Sequence, residues 1–153
     1  MANERTLRDE VVAHLVTFQT TLEALLPPGT TLTIQGCLVP EHDVEKLTGV
    51  VIDVFPLAVT SERVDRRSWA ERFTTRVAIL AKQGGITLAA RDNLEAAFSE
   101  LGITVQRILY RFMSDECVLA EIEGNRENFD KQGLRDERLL YTYLDLQLDR
   151  IEE

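Results

Sequence analysis

His14, His42, Cys37 and Cys117 are the side chains best suited to metal binding or nucleophilic chemistry, and their spacing supports neither. The cysteines lie far apart with no CxxC pair, and neither histidine stands at a ligand spacing such as HExxH. In a reducing compartment two such cysteines are expected as free thiols, partly or wholly buried. His14 falls in a helical segment and reads as a residue at the boundary of a packed face. The sequence holds no GxSxG turn, no Walker loop and no GxGxxG, and its only double glycine, Gly84-Gly85, reads as a turn. The acids form no constellation with either histidine. The expectation is a protein without enzymatic activity, metal or cofactor.

The residues that stand out are charged. Arg63, Asp65, Arg66 and Arg67 crowd a short stretch between two strand-like segments. Thr60 to Lys82 holds six basic and three acidic side chains, a net of +3, whereas Ser114 to Glu153 holds 12 acidic and five basic, a net of −7. A charge run taken alone is usually a solvated face. Two runs of opposite sign in one chain also allow its copies to join head to tail. Arg63, Asp65, Arg66 and Arg67 are therefore the candidate contacts with a second subunit or another partner, chosen for exposure and charge.

Composition narrows the classes further. With 17 basic against 26 acidic side chains the net charge is −9, which suits solubility and not a grip on phosphates. The chain has 153 residues, 44% hydrophobic and 28% charged, as expected of one folded domain spanning residues 1–153. Its polar start predicts no signal peptide, and no apolar run nears the roughly 18 residues of a membrane-spanning helix. A cytoplasm or a soluble assembly is the expected setting.

The elements that must position these side chains follow from periodicity. Leu7, Val11, Leu15, Phe18, Leu22 and Leu25 step by three or four, predicting one helix capped by Thr6 and stopped by Pro27-Pro28-Gly29. Thr31 to Val39 reads as a short strand or irregular chain, and Glu41 to Leu47 as at most one helical turn. Gly49 to Leu57 is rich in β-branched residues and predicts a strand. From Trp69 to Ala81 the chain alternates, with Trp69, Phe73, Thr75, Val77, Ile79 and Ala81 on the buried side. Thr60 to Arg67 then forms the charged loop of a long β-hairpin. Thr87 to Leu101 predicts a helix ended by Gly102. Ile103 to Phe112 and Cys117 to Ile122 read as strands, and Gly124 to Arg138 as a polar connection. Leu140, Thr142, Leu144, Leu146 and Leu148 alternate with polar residues. That predicts a final strand with its leucines inside, although Leu140, Leu144 and Leu148 also fit one helix face.

This order of elements resembles the tail terminator (tail completion) proteins of long-tailed bacteriophages. The resemblance lies in the helix closed by Leu-Pro-Pro-Gly, the Val-Ile-Asp-Val-Phe-Pro strand and the Arg-bearing loop. It continues through the alternating strand Arg72-Phe73-Thr74-Thr75-Arg76-Val77-Ala78-Ile79, a central helix, and the closing Tyr143-Leu144-Asp145-Leu146-Gln147-Leu148. The chain departs from that order between Ile103 and Ile122, where the sequence predicts an additional pair of strands or a longer excursion. The resemblance implies an α/β (α+β) fold, a mixed, mainly antiparallel sheet with helices packed on one face. It also implies a ring of copies, six in number, at the head-proximal end of the virion tail. Such a ring caps the tail tube protein, ends polymerisation and offers a surface to a head connector or head-closure protein. DNA would pass through the hole without specific binding, since an acidic lining repels phosphates. Another head–tail joining subunit, or a small-ligand-binding α/β domain with a deep apolar pocket, are the alternatives.

Overall fold

The computed structural model describes residues 3–39, 49–67, 69–82, 88–114, 116–124 and 139–152. The first helix starts earlier than Thr6. Asn3, in extended backbone, accepts the Thr6 amide on its side-chain oxygen at 2.9 Å, so α1 runs Glu4–Val16 with Thr6 inside its first turn. The apolar stripe is divided between two helices. The Thr17 hydroxyl donates back to the His14 carbonyl at 2.6 Å, Phe18 leaves helical geometry, and α2 resumes over Gln19–Glu23. The stripe stays continuous in space: Leu7, Val11, Leu15 and Leu22 are fully buried. Pro28 and Gly29 then occupy the two central positions of a type II turn. Gly29 has φ +84° and Thr30 N donates to the Pro27 carbonyl at 3.1 Å.

Five strands follow in the spatial order β1-β2-β3-β5-β4. They are β1 Leu32–Gly36, β2 Val50–Arg63, β3 Trp69–Lys82, β4 Val118–Gly124 and β5 Leu139–Glu152. β1 pairs with β2 in parallel and all other neighbours are antiparallel. This is the mixed, mainly antiparallel sheet with a long hairpin that the sequence predicts. Val50, Ile52 and Val54 of β2, Val77, Ile79 and Ala81 of β3, and Leu140, Leu144, Leu146 and Leu148 of β5 meet α1, α2 and the long helix α3, Leu88–Leu109, in one core. At about 1.5–3 kcal/mol for each large apolar side chain, this shared face is the principal source of stability.

Three expectations need correcting. Thr60 to Arg63 is not loop but the end of β2, paired Thr60↔Arg72 through Arg63↔Trp69, so the described part of the hairpin tip is 64–67. Ile103 to Leu109 is not strand, because α3 passes straight through Gly102. Leu101, Val105, Ile108 and Phe112 carry the stripe of Leu94, Ala97 and Phe98 onward at helical spacing, and all are buried. That burial outweighs the roughly 1 kcal/mol by which glycine disfavours a helix interior. Trp69 points to the helix side as its parity requires but lies past the helices, 49% exposed. The suggested turn at Glu41–Leu47 and most of the connection Gly124–Arg138 lie outside the described residues.

The other face of the sheet is also filled at its centre. Val51, Asp53, Phe55 and Ala78 are buried there, so β2 is buried on both faces from Val50 to Phe55. That explains why this segment is a near-continuous apolar run instead of an alternating one. No helix among the described residues is long and apolar enough to cross a membrane.

Candidate assembly interface

Beyond Phe55 the β2–β3 hairpin becomes an exposed arm. β1 ends at Gly36 opposite Val54, Pro56 has no amide to donate, and a bulge at Leu57 shifts the register. Every residue from Leu57 to Arg67 is exposed. Leu57, Val59, Val64 and Trp69 are large apolar side chains left open to solvent on this arm.

The four charged residues at and beside the tip divide into two pairs. Arg63 holds the turn: its guanidinium donates to the Asp65 carbonyl at 3.0 Å and to the Arg66 carbonyl at 3.1 Å, and lies 5.9 Å from the Trp69 ring centre. Asp65 accepts the Arg67 amide at 2.7 Å, an Asx-type closure of the same turn. Arg66 and Arg67 make no side-chain hydrogen bond or ion pair among the described residues. Arg63 and Asp65 build the tip, and Arg66 and Arg67 are what it presents.

Much of the charge division between the hairpin and the last forty residues is consumed inside the molecule. β5 lies against β3, which sets Arg72 opposite Asp149 and Arg76 opposite Asp145. Arg72 grips Asp149 with two hydrogen bonds of 2.7 and 2.9 Å and donates to Gln147 at 2.8 Å. Arg76 grips Asp145 in the same forked geometry, at 2.7 and 2.9 Å, with its guanidinium 4.0 Å above the Tyr143 ring. The hydrogen bond from Arg72 holds the Asp149 carboxyl below its ordinary value. On the helix side the order reverses, Arg150 meeting Glu71 at 2.9 Å and Glu116 at 3.7 Å.

β4 carries the acids left over. Glu121 and Glu123 lie on the same face as Arg72 and Arg76, opposite Gln147 and Asp145, and are exposed. Arg72 feels both electrostatically, yet neither forms a hydrogen bond or ion pair among the described residues. These two were not singled out from the sequence. The alternation Glu121-Ile122-Glu123 in a short strand was the available signal, since it puts both carboxylates on one face of an edge.

The groups first considered for chemistry are placed as packing residues. His14 shares a hydrogen bond with the Ile108 carbonyl at 2.9 Å and meets Phe18 and Phe112 edge-on at 5.5 and 5.6 Å, joining α1 to α3. His42 lies outside the described residues. Cys37 and Cys117 are free thiols, and burial raises both above the ordinary thiol range, which keeps them protonated and weakly nucleophilic at neutral pH. Two clefts border the arm. One, of about 540 Å³, is lined by Thr60, Ser61, Glu62, Ala70, Glu71, Arg72 and Asp149, and the other, of about 530 Å³, by Asn3, Glu4, Arg5, Val59, Glu71 and Phe73. Both mix polar and apolar side chains. Compared with known protein families and with curated proteins, the chain matches none.

Proposed function

We propose that this chain is a structural subunit, not an enzyme, and that its copies form a tail terminator ring on a long-tailed bacteriophage. The ring caps the tail tube protein, ends tube polymerisation and offers the surface to which a head connector or head-closure protein binds. The observation that carries the reading is the exposed β2–β3 arm, with Arg66 and Arg67 at its tip, and the acids Glu121 and Glu123, unpaired among the described residues, at the opposite edge of the same sheet. A surface so divided favours contact between copies in one orientation.

The course of α3 adds support. With Ile103 to Leu109 helical, one strand of the additional pair falls away while the other stands as β4, and the order becomes helices, strand, hairpin, helix and two final strands. That is nearer to the order on which the resemblance rests. A net charge of −9 also suits a ring through which DNA must slide without sticking. The test is a phage lacking only this gene. Electron micrographs should show tails of irregular or excessive length that fail to join heads. Normal, joined tails in the deletion would end the proposal.

A further inference from the structure

Among the described residues the sheet has two open edges of opposite character. On one side the β2 arm from Ala58 to Arg63 is paired, among those residues, only on its β3 side, because β1 stops at Gly36. On the other, β4 is paired only on its β5 side among the described residues. An open edge presents unpaired amides and carbonyls and is a template for another strand. Pro56 and the bulge at Leu57 interrupt the β2 edge just past β1, yet six residues of regular arm follow them.

We infer that neighbouring copies join by adding β4 of one to the exposed β2 arm of the next, so that one sheet continues from subunit to subunit. This deepens the ring reading and rests on it. The strand directions agree: β5 runs parallel to β2, and β4 runs antiparallel to β5, so two sheets in the same orientation bring β4 against β2 antiparallel. The faces agree as well. Thr60 and Ala58 lie on the face of Arg72, as Glu121 and Glu123 do, whereas Val59 and Ile122 lie on the helix side. Thr60 opposite Glu121 and Ala58 opposite Glu123 therefore bring Val59 opposite Ile122. This register spares Glu121 a position directly opposite Glu62. It also carries Arg66 and Arg67 past Val118 toward Glu116, which precedes the neighbour's β4 and meets Arg150 there. Because the two edges are different, the contact is heterologous and repeats until a ring closes.

Cross-linking decides this. Thr60→Cys and Glu121→Cys are made separately in a Cys37→Ser/Cys117→Ser background, so that no native thiol can join the cross-link, purified, mixed under mild oxidation and compared with each variant alone and with the background protein. Native mass spectrometry of the same samples records whether an oligomer forms. The expected result is a band shifted to twice the subunit mass in the mixture and absent from either variant alone. Cross-links in Thr60→Cys alone would show like edges pairing and overturn the inference. An oligomer without the mixed cross-link would overturn it too while leaving the ring standing, and a monomer under all conditions would sink both.

Discussion

Replacing Arg76 by Met keeps much of the side chain's length and removes the charge that Asp145 needs. The Asp145 side chain is 12% exposed and Arg76 24%, and the pair is held by two hydrogen bonds of 2.7 and 2.9 Å. Removing one partner of a buried pair typically costs about 3–5 kcal/mol, because the other charge is left stranded. The partial exposure of both groups lets water and salt screen part of that loss, while losing the cation above Tyr143 adds about 0.5–2 kcal/mol. Arg76→Met should therefore destabilise by about 2–4 kcal/mol. Asp145→Asn removes the stranded charge, so the double variant Arg76→Met/Asp145→Asn should recover a good part of the loss, with a coupling of about 1–3 kcal/mol. Urea unfolding of the four proteins in the cycle, with unchanged slopes, measures it. A loss under about 0.5 kcal/mol for Arg76→Met would put this pair with ordinary surface ion pairs and refute the reasoning.

The neighbouring pair carries a pH signature. The folded-state value of Asp149 is depressed by Arg72, so its contribution is present above the ordinary aspartate value of about 3.9 and is lost as pH falls through the folded value. The stability gap between wild type and Arg72→Met should be small at neutral pH, since both groups are largely exposed, and should close in acid; a gap that widens in acid would contradict the assignment. Two glycines should respond in opposite ways. Gly49 has φ +65°, and a Cβ there would collide with the Thr31 backbone, so Gly49→Ala should destabilise by about 1–3 kcal/mol in thermal or urea unfolding. Gly102 is helical and a Cβ would meet Thr142 Cγ2 at an ordinary 3.9 Å, so Gly102→Ala should stabilise by about 0.5–1 kcal/mol.

The strands were legible wherever one face was buried. β3 and β5 alternate because much of their second face carries polar side chains, and the five positions from Leu140 to Leu148 on β5 are buried as that alternation requires. Gly102 is a local stop signal, but the stripe Leu101, Val105, Ile108, which tertiary packing enforces, carries α3 through it. The hairpin was cut short at Thr60 for a related reason: an exposed arm has no buried face, so Thr60 to Arg63 shows no hydrophobic period to mark it as strand. The tip arginines were visible as a charge cluster. Their division into Arg63, which closes the turn, and Arg66 and Arg67, which face outward, depends on backbone carbonyls that no sequence pattern displays. The partners of Arg72 and Arg76 were hidden likewise, since pairing β3 with β5 joins residues about seventy positions apart.

Self-assembly is the centre of the functional account, and native mass spectrometry of the purified protein across a concentration series tests it most directly. The account predicts one closed species, six copies by the tail terminator resemblance, that forms as concentration rises and weakens as salt is raised through the range where exposed charges are screened. Mass spectra showing only monomer at every concentration and at low salt, or an open ladder of sizes with no preferred number, would contradict it.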